Sequence, residues 1–307
     1  MVQNSSPQPP TASSSSLLGE FYRFLRRPVY TVNIPPQNQP LRDTLRLYAL
    51  ALLLVIPLVI VAGLVAAKIS SGHALTEMSR TVPLWVMFVF AVVFAPLSEE
   101  TIFRLPLRYT PINVLLPTGI GLFVVLSTLV SANLIPKLLL LPLLGLVVCG
   151  CTVLYQWLQK ASSQPIHKIY EKVIGWLFYG SAISFGLVHI ANFQNFDAQA
   201  WLIAPLLVLP QTVLGVFFAF IRLQYGFWWC VLTHAGHNFL FIGPLLLSLM
   251  VSPTAVQATA SKMTSQDYLI QVIFVAFMSV LILLCIITVW RMVVEWRVEK
   301  QQARARG

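Results

Sequence analysis

The chain has 307 residues, 57% of them hydrophobic and only 10% charged, against about 25% charged in ordinary soluble domains. Several apolar runs reach the roughly 20 residues that a helix needs to cross a bilayer, which excludes a soluble globular class and indicates an all-α, polytopic integral membrane protein. The formal charge of +10 comes from basic residues flanking those runs, so it reads as membrane orientation and contact with anionic lipid, not as a nucleic-acid footprint.

Taken in order, residues 1–16, "MVQNSSPQPPTASSSS", are too polar and proline-rich to form a core and read as a disordered tail. No apolar h-region follows a basic start, so no secretory signal is expected. In "LLGEFYRFLRRPVY" the residues Leu17, Leu18, Phe21, Phe24 and Leu25 recur at helical spacing beside Arg23, Arg26 and Arg27. Two readings stay open for it within a tail of residues 1–44: a short helix lying on the inner membrane surface, or a linker. A transmembrane domain follows over 45–290, with about eight spans near 46–67, 83–107, 112–132, 138–158, 173–193, 201–221, 226–250 and 269–290, and 291–307 forms a basic C-terminal tail. Pro136, Pro165 and Pro253 punctuate connections, whereas Pro96, Pro205, Pro210 and Pro244 are expected to kink helices. Cys149, Cys151, Cys230 and Cys285 all lie in apolar segments, form no CxxC pair and read as small buried hydrophobes.

Orientation follows from the basic residues near segment ends. Placing both termini inside puts sixteen of the 20 Lys and Arg on that side and leaves only Lys68, Arg80, Lys137 and Lys262 outside. Both termini are therefore expected to be cytoplasmic, which for a bacterial host means a plasma-membrane protein.

Ten carboxylates are present, and only Glu99 and Glu100 lie within an apolar run. His189, His234 and His237 also fall in spans, while His73 and His167 read as loop residues. Ionisable groups in a span cost roughly 2.5–3.5 kcal/mol each on insertion scales and usually face a cavity or a partner. Residues four apart share a helix face, and adjacent ones point about 100° apart. Glu100 and Arg104 can therefore pair, leaving Glu99 free. In "FGLVH" Phe185 stacks on the face of His189, and in "THAGHNF" His234 shares its face with Asn238, with His237 three residues along.

A carboxylate, an imidazole from a second helix and an imidazole with an amide from a third form a hydrolytic set. A carboxylate in apolar surroundings gains proton affinity, which suits Glu99 to general-base work, with His189 sharing the water. His234 and Asn238 can donate to the oxyanion of a tetrahedral intermediate. The alternative is a zinc site made by His189, His234 and Glu99 with one open position, and His237 could replace Asn238 as donor or add a ligand.

These residues resemble the CAAX-protease and bacteriocin-processing family of intramembrane endopeptidases, whose signature is Glu-Glu-x-x-x-Arg, Phe-x-x-x-His and His-x-x-x-Asn/Asp. Here the motifs stand as "EETIFR" (Glu99 to Arg104), "FGLVH" (Phe185 to His189) and "HAGHN" (His234 to Asn238), within about 83–245. The resemblance implies helices around a motif-lined cavity and hydrolysis of a peptide or protein substrate reached through the membrane. In eukaryotic relatives the cleavage removes a tripeptide after a prenylated cysteine. It also implies that Glu99 is the base, His189 its partner, His234 and Asn238 the oxyanion donors, and Glu100 and Arg104 supports. Zinc has been argued for and against in the family. A non-catalytic scaffold or immunity-like member and an ion- or proton-coupled transporter are the alternatives.

Leu105 stands where many relatives carry glycine, and two additional spans, 112–132 and 138–158, separate the first two motifs. Residue counts also set Glu99 and His189 at depths differing by about 10–15 Å at 1.5 Å per residue. Tilt, a kink at Pro96 or a later start of the fifth span would have to absorb that difference.

Overall fold

The computed structural model describes residues 16–34, 38–69, 82–161, 163–193, 198–251 and 265–306. The expectations for residues 1–15, His73 and Pro253 lie outside them. Among the described residues the chain is helical and has no strand. In order come α1 (Leu17–Arg26), α2 (Pro40–Ile69) and α3 (Leu84–Val89), which runs through a π-helical segment (Phe90–Phe94) into α4 (Ala95–Phe103) and a 3₁₀ turn (Leu105–Leu107). Then follow α5 (Pro111–Ser131), α6 (Leu140–Lys160), α7 (Gln164–Val188) with a 3₁₀ turn (His189–Asn192), α8 (Ala198–Leu207), α9 (Leu209–Gln224), α10 (Phe227–Val251) and α11 (Ser265–Arg306).

Six of these stretches are long and apolar enough to cross a membrane, or seven if α8 and α9, bent by 43° at their junction, count as one span. All eight expected segments are helical; among the described residues length and apolarity identify six or seven spans, so the expected count of eight is not confirmed. The bend has a local cause: Val208 leaves helical geometry between Pro205 and Pro210, neither of which can donate a backbone hydrogen bond.

α9 is the hub. Its residues Phe217 to Leu223 are all buried, the pattern of a helix enclosed on every side. It packs against α7 through small residues that let the backbones approach. A Cβ built on Gly215 would lie 3.0 Å from the Ala182 Cα, and one on Gly186 would lie 2.0 Å from the Thr212 Oγ1.

α1 packs its apolar face against one end of this core. Phe21 stacks on Phe217 at 4.7 Å, and Phe24 meets Phe178 and Phe220 edge-on at 5.1 Å. Ser16 caps α1 by accepting from the Gly19 N–H, and its own N–H donates to Glu299 of α11 at 3.0 Å. Arg23 pairs with the same carboxylate at 2.9 Å. α11 continues unbroken to Arg306, so residues 291–306 extend that helix and are not a separate tail. His167 is likewise helical, within α7, and its Nδ1 meets the Tyr30 hydroxyl at 3.1 Å.

The two additional segments form a lateral hairpin. α5 leans on α4 and its 3₁₀ turn, while α6 has no buried residue and packs on α5. Its Cys149 is exposed, contrary to the sequence reading of that thiol as buried.

Candidate active site

The first motif is delivered by a helix with an irregularity just before it. The Ala95 N–H bonds the Phe90 carbonyl, a π-type step, and Pro96 has no N–H to offer. The Ala91 carbonyl thus loses its ordinary helical donors. Asn238 of α10 supplies one, its Nδ2 donating to the Ala91 oxygen at 2.8 Å. The third motif's amide is in this way tied to the first motif's helix.

On α4 the two adjacent glutamates diverge as their spacing requires. Glu100 is fully buried and its charge is met three ways: Arg104 Nε at 3.4 Å, His234 Nδ1 at 2.7 Å and Cys230 Sγ at 2.8 Å. Arg104 is fully buried too, and none of its three nitrogens makes a hydrogen bond among the described residues. Its cation lies 3.9 Å from the centre of the Phe185 ring, with Phe103 and Phe218 at 5.7 and 5.8 Å, so aromatic faces replace the missing acceptors. Phe185 was expected only to orient His189; it also seats this guanidinium.

Glu99 points into a different space. Its Oε2 lies 3.9 Å from His189 Nε2 and 3.8 Å from His234 Nε2, is itself buried, and has no hydrogen-bond partner among the described residues. The other nitrogen of each imidazole is occupied. His189 Nδ1 faces the Phe185 carbonyl at 2.7 Å, and His234 Nδ1 faces Glu100. A carbonyl and a carboxylate only accept, so both Nδ1 atoms carry the proton and, in the neutral rings, both Nε2 lone pairs turn toward Glu99. Phe218 stacks on His234 at 4.8 Å, and Phe185 meets His189 edge-on at 4.7 Å, so neither ring is free to turn.

The depth difference expected from residue counts does not keep the two motifs apart, since His189 Nε2 lies 3.9 Å from Glu99 Oε2. α7 begins at Gln164, earlier than the expected 173, which lengthens it by about 13 Å at 1.5 Å per residue. The start moves in the opposite direction to the later one proposed to absorb the mismatch. Tyr170 donates to the Pro106 carbonyl at 2.9 Å and Ser181 to the Phe103 carbonyl at 2.7 Å, which fixes α7 beside the end of the motif helix.

His237 is engaged elsewhere: its Nδ1 meets the Tyr48 hydroxyl of α2 at 3.0 Å, and its ring packs on Phe241 at 4.8 Å. As they stand, Glu99, His189 and His234 are spaced more widely than the ligands of a zinc ion. Ligands about 2.0–2.1 Å from a tetrahedral ion lie roughly 3.3 Å apart, about half an ångström closer than Glu99 stands to either histidine. No group of three His, Cys, Asp or Glu among the described residues is arranged to hold a metal ion.

Three contributors escaped the sequence reading. Cys230 lies four residues before His234, so its place on the His234 face was available from spacing alone. Arg108 and Arg222, counted as orientation residues, are buried and cap each other's helices. Arg222 Nε donates to the Arg104 carbonyl at 3.1 Å and Nη2 to that of Leu105 at 3.3 Å. Arg108 donates to the Leu223 carbonyl at the end of α9, and to Thr31 and Val32 at 3.1 and 3.2 Å.

The family model described as type II CAAX prenyl endopeptidase Rce1-like matches residues 81–240, which includes all three motifs and the lateral hairpin. No curated protein and no solved structure matches the chain. With just over half of its length matched, and with the three motifs meeting in one buried cluster, the chain belongs to the type II CAAX prenyl endopeptidase Rce1-like family.

Proposed function

We propose that the chain is an intramembrane endopeptidase of the CAAX-protease type, hydrolysing a peptide bond with Glu99-activated water. The observation that carries this reading is the approach of His189 Nε2 and His234 Nε2 to one buried Glu99 oxygen that lacks a donor among the described residues. A water in that space would donate one hydrogen to Glu99 and the other to His189. Glu99 takes its proton as the water oxygen attacks the scissile carbonyl, and returns it to the leaving amine as the C–N bond breaks.

The oxyanion needs donors. Asn238 spends one amide hydrogen on Ala91 and keeps a second. His234 can donate from Nε2 only as imidazolium, and Glu100 at 2.7 Å is the counter-ion for that form. Glu99, Glu100, Arg104 and protonated His234 then sum to zero charge, the condition a water-poor site favours. The substrate class in this proposal is the one in the family's name, a prenylated C-terminal peptide entering from the bilayer, with both termini of the enzyme on the cytoplasmic side.

The test compares peptide ends in membranes carrying the wild type or Glu99→Gln at equal abundance. Ends present only with the wild type are expected. The same ends in both membranes would overturn the proposal.

A further inference from the structure

The two oxygens of Glu100 are held by two residues of one helix face. His234 Nδ1 occupies Oε1 at 2.7 Å, and Cys230 Sγ, one turn earlier on α10, approaches Oε2 at 2.8 Å. Arg104 Nε stands 3.4 Å from Oε2 without making a hydrogen bond. Cys230 is thus the hydrogen-bond donor found at that oxygen among the described residues. The thiol has one proton and two acceptors in reach, Glu100 Oε2 and the Phe218 carbonyl at 3.2 Å. The carboxylate is the nearer and the charged one, so it takes the proton. Cys230 and Glu100 are both fully buried, which leaves no water to stand in for the thiol.

We propose that Cys230 is a positioning residue of the active site: its thiol clamps Glu100 so that the opposite oxygen holds His234 Nδ1 in the orientation that aims Nε2 at Glu99. A carboxylate held at one oxygen can still rotate about its Cγ–Cδ bond; held at both by donors four residues apart on one helix, it cannot. The sequence offers no hint of this role beyond spacing, since a buried thiol in an apolar run reads as a small hydrophobe. The inference deepens the endopeptidase reading and rests on it for its kinetic arm only.

The experiment uses the full chain purified in lipid, as wild type, Cys230→Ala and Cys230→Ser. The S–H stretching band, which falls in an otherwise empty infrared window, is assigned to Cys230 by subtracting the Cys230→Ala spectrum. A thiol bonded to a carboxylate absorbs at lower frequency and more broadly than thiols in apolar surroundings. In turnover, Cys230→Ala is expected to lower kcat about tenfold, the loss of one hydrogen bond to a charged group, with KM unchanged. Cys230→Ser, which keeps a donor, is expected to recover to within about threefold of wild type. A Cys230 band at the frequency of the other thiols, an unchanged kcat in Cys230→Ala, or equal losses in the Ala and Ser variants would each overturn the proposal. Should wild type and Glu99→Gln prove equally inactive, it is the enzyme reading that has failed. The infrared band, which needs no substrate, still decides whether Cys230 holds Glu100.

Discussion

Exchanging each glutamate of the pair for glutamine separates chemistry from architecture. Glu100→Gln removes a charge from a carboxylate that is fully buried and paired with an equally buried Arg104. Among the described residues the guanidinium has no hydrogen bond to fall back on, only ring faces, the nearest at 3.9 Å. Such a cation–π contact contributes roughly 2 kcal/mol when desolvated, whereas breaking a buried pair by removing one partner costs about 3–5 kcal/mol. The new amide also presents hydrogens where Cys230 or His234 now donates. For a chain of this size each kcal/mol lowers the thermal midpoint by about 2–4 °C, so a fall on the order of 10 °C is expected. Glu99 keeps 27% of its side chain exposed and makes only the long contacts to His189 and His234, so Glu99→Gln should stay within about 0.5 kcal/mol of wild type while losing turnover. Intrinsic tryptophan fluorescence during heating of the detergent-purified protein reads both midpoints. Adding Arg104→Met to Glu100→Gln should recover part of the loss, because the orphaned charge disappears with it. Equal midpoints for the two single variants, or a fall confined to Glu99→Gln, would refute the assignment of roles.

Three further outcomes are expected. Strong chelation should leave turnover unchanged, and elemental analysis of active protein should find no stoichiometric zinc; loss of activity restored by zinc alone would reverse that expectation. Gly186→Ala should cost about 1–3 kcal/mol through overpacking, because its Cβ would meet Thr212 Oγ1 at 2.0 Å and the Val208 carbonyl at 3.1 Å, whereas Gly180→Ala, with open space around it, should be silent in the same thermal assay. Cysteine tags in the N- and C-terminal tails should label from one side of the membrane, and labelling from opposite sides would require an odd number of spans.

Much of the site was legible because helical spacing is a strong rule. The Glu100–Arg104 pair, the Phe185–His189 contact and the separation of Glu99 from Glu100 all follow from it and appear in the structure. What spacing could not give was which helices meet. The polar opening of α7, "QPIHKIYEK", reads as a loop when only apolarity defines a span, so the expected start at 173 falls inside a helix that begins at Gln164. For α1 the spacing marked an apolar face but not what that face meets: Phe21 packs on Phe217 of α9 and Phe24 on Phe178 of α7. Asn238 was assigned wholly to the oxyanion because the π-type step that orphans the Ala91 carbonyl leaves no trace in hydrophobic periodicity.

The exchange of caps between Arg108 and Arg222 has a dynamic consequence. Arg222 closes the end of the helix that carries the glutamates, and Arg108, just beyond that end, closes the helix that carries Arg222. Fraying at either terminus removes the donor that protects the other, so the two should open as one cooperative unit and not as independent ends. In hydrogen exchange, the amides near Phe103 and Leu223 should share a single opening free energy, and a lesion in either arginine should raise exchange at both places together.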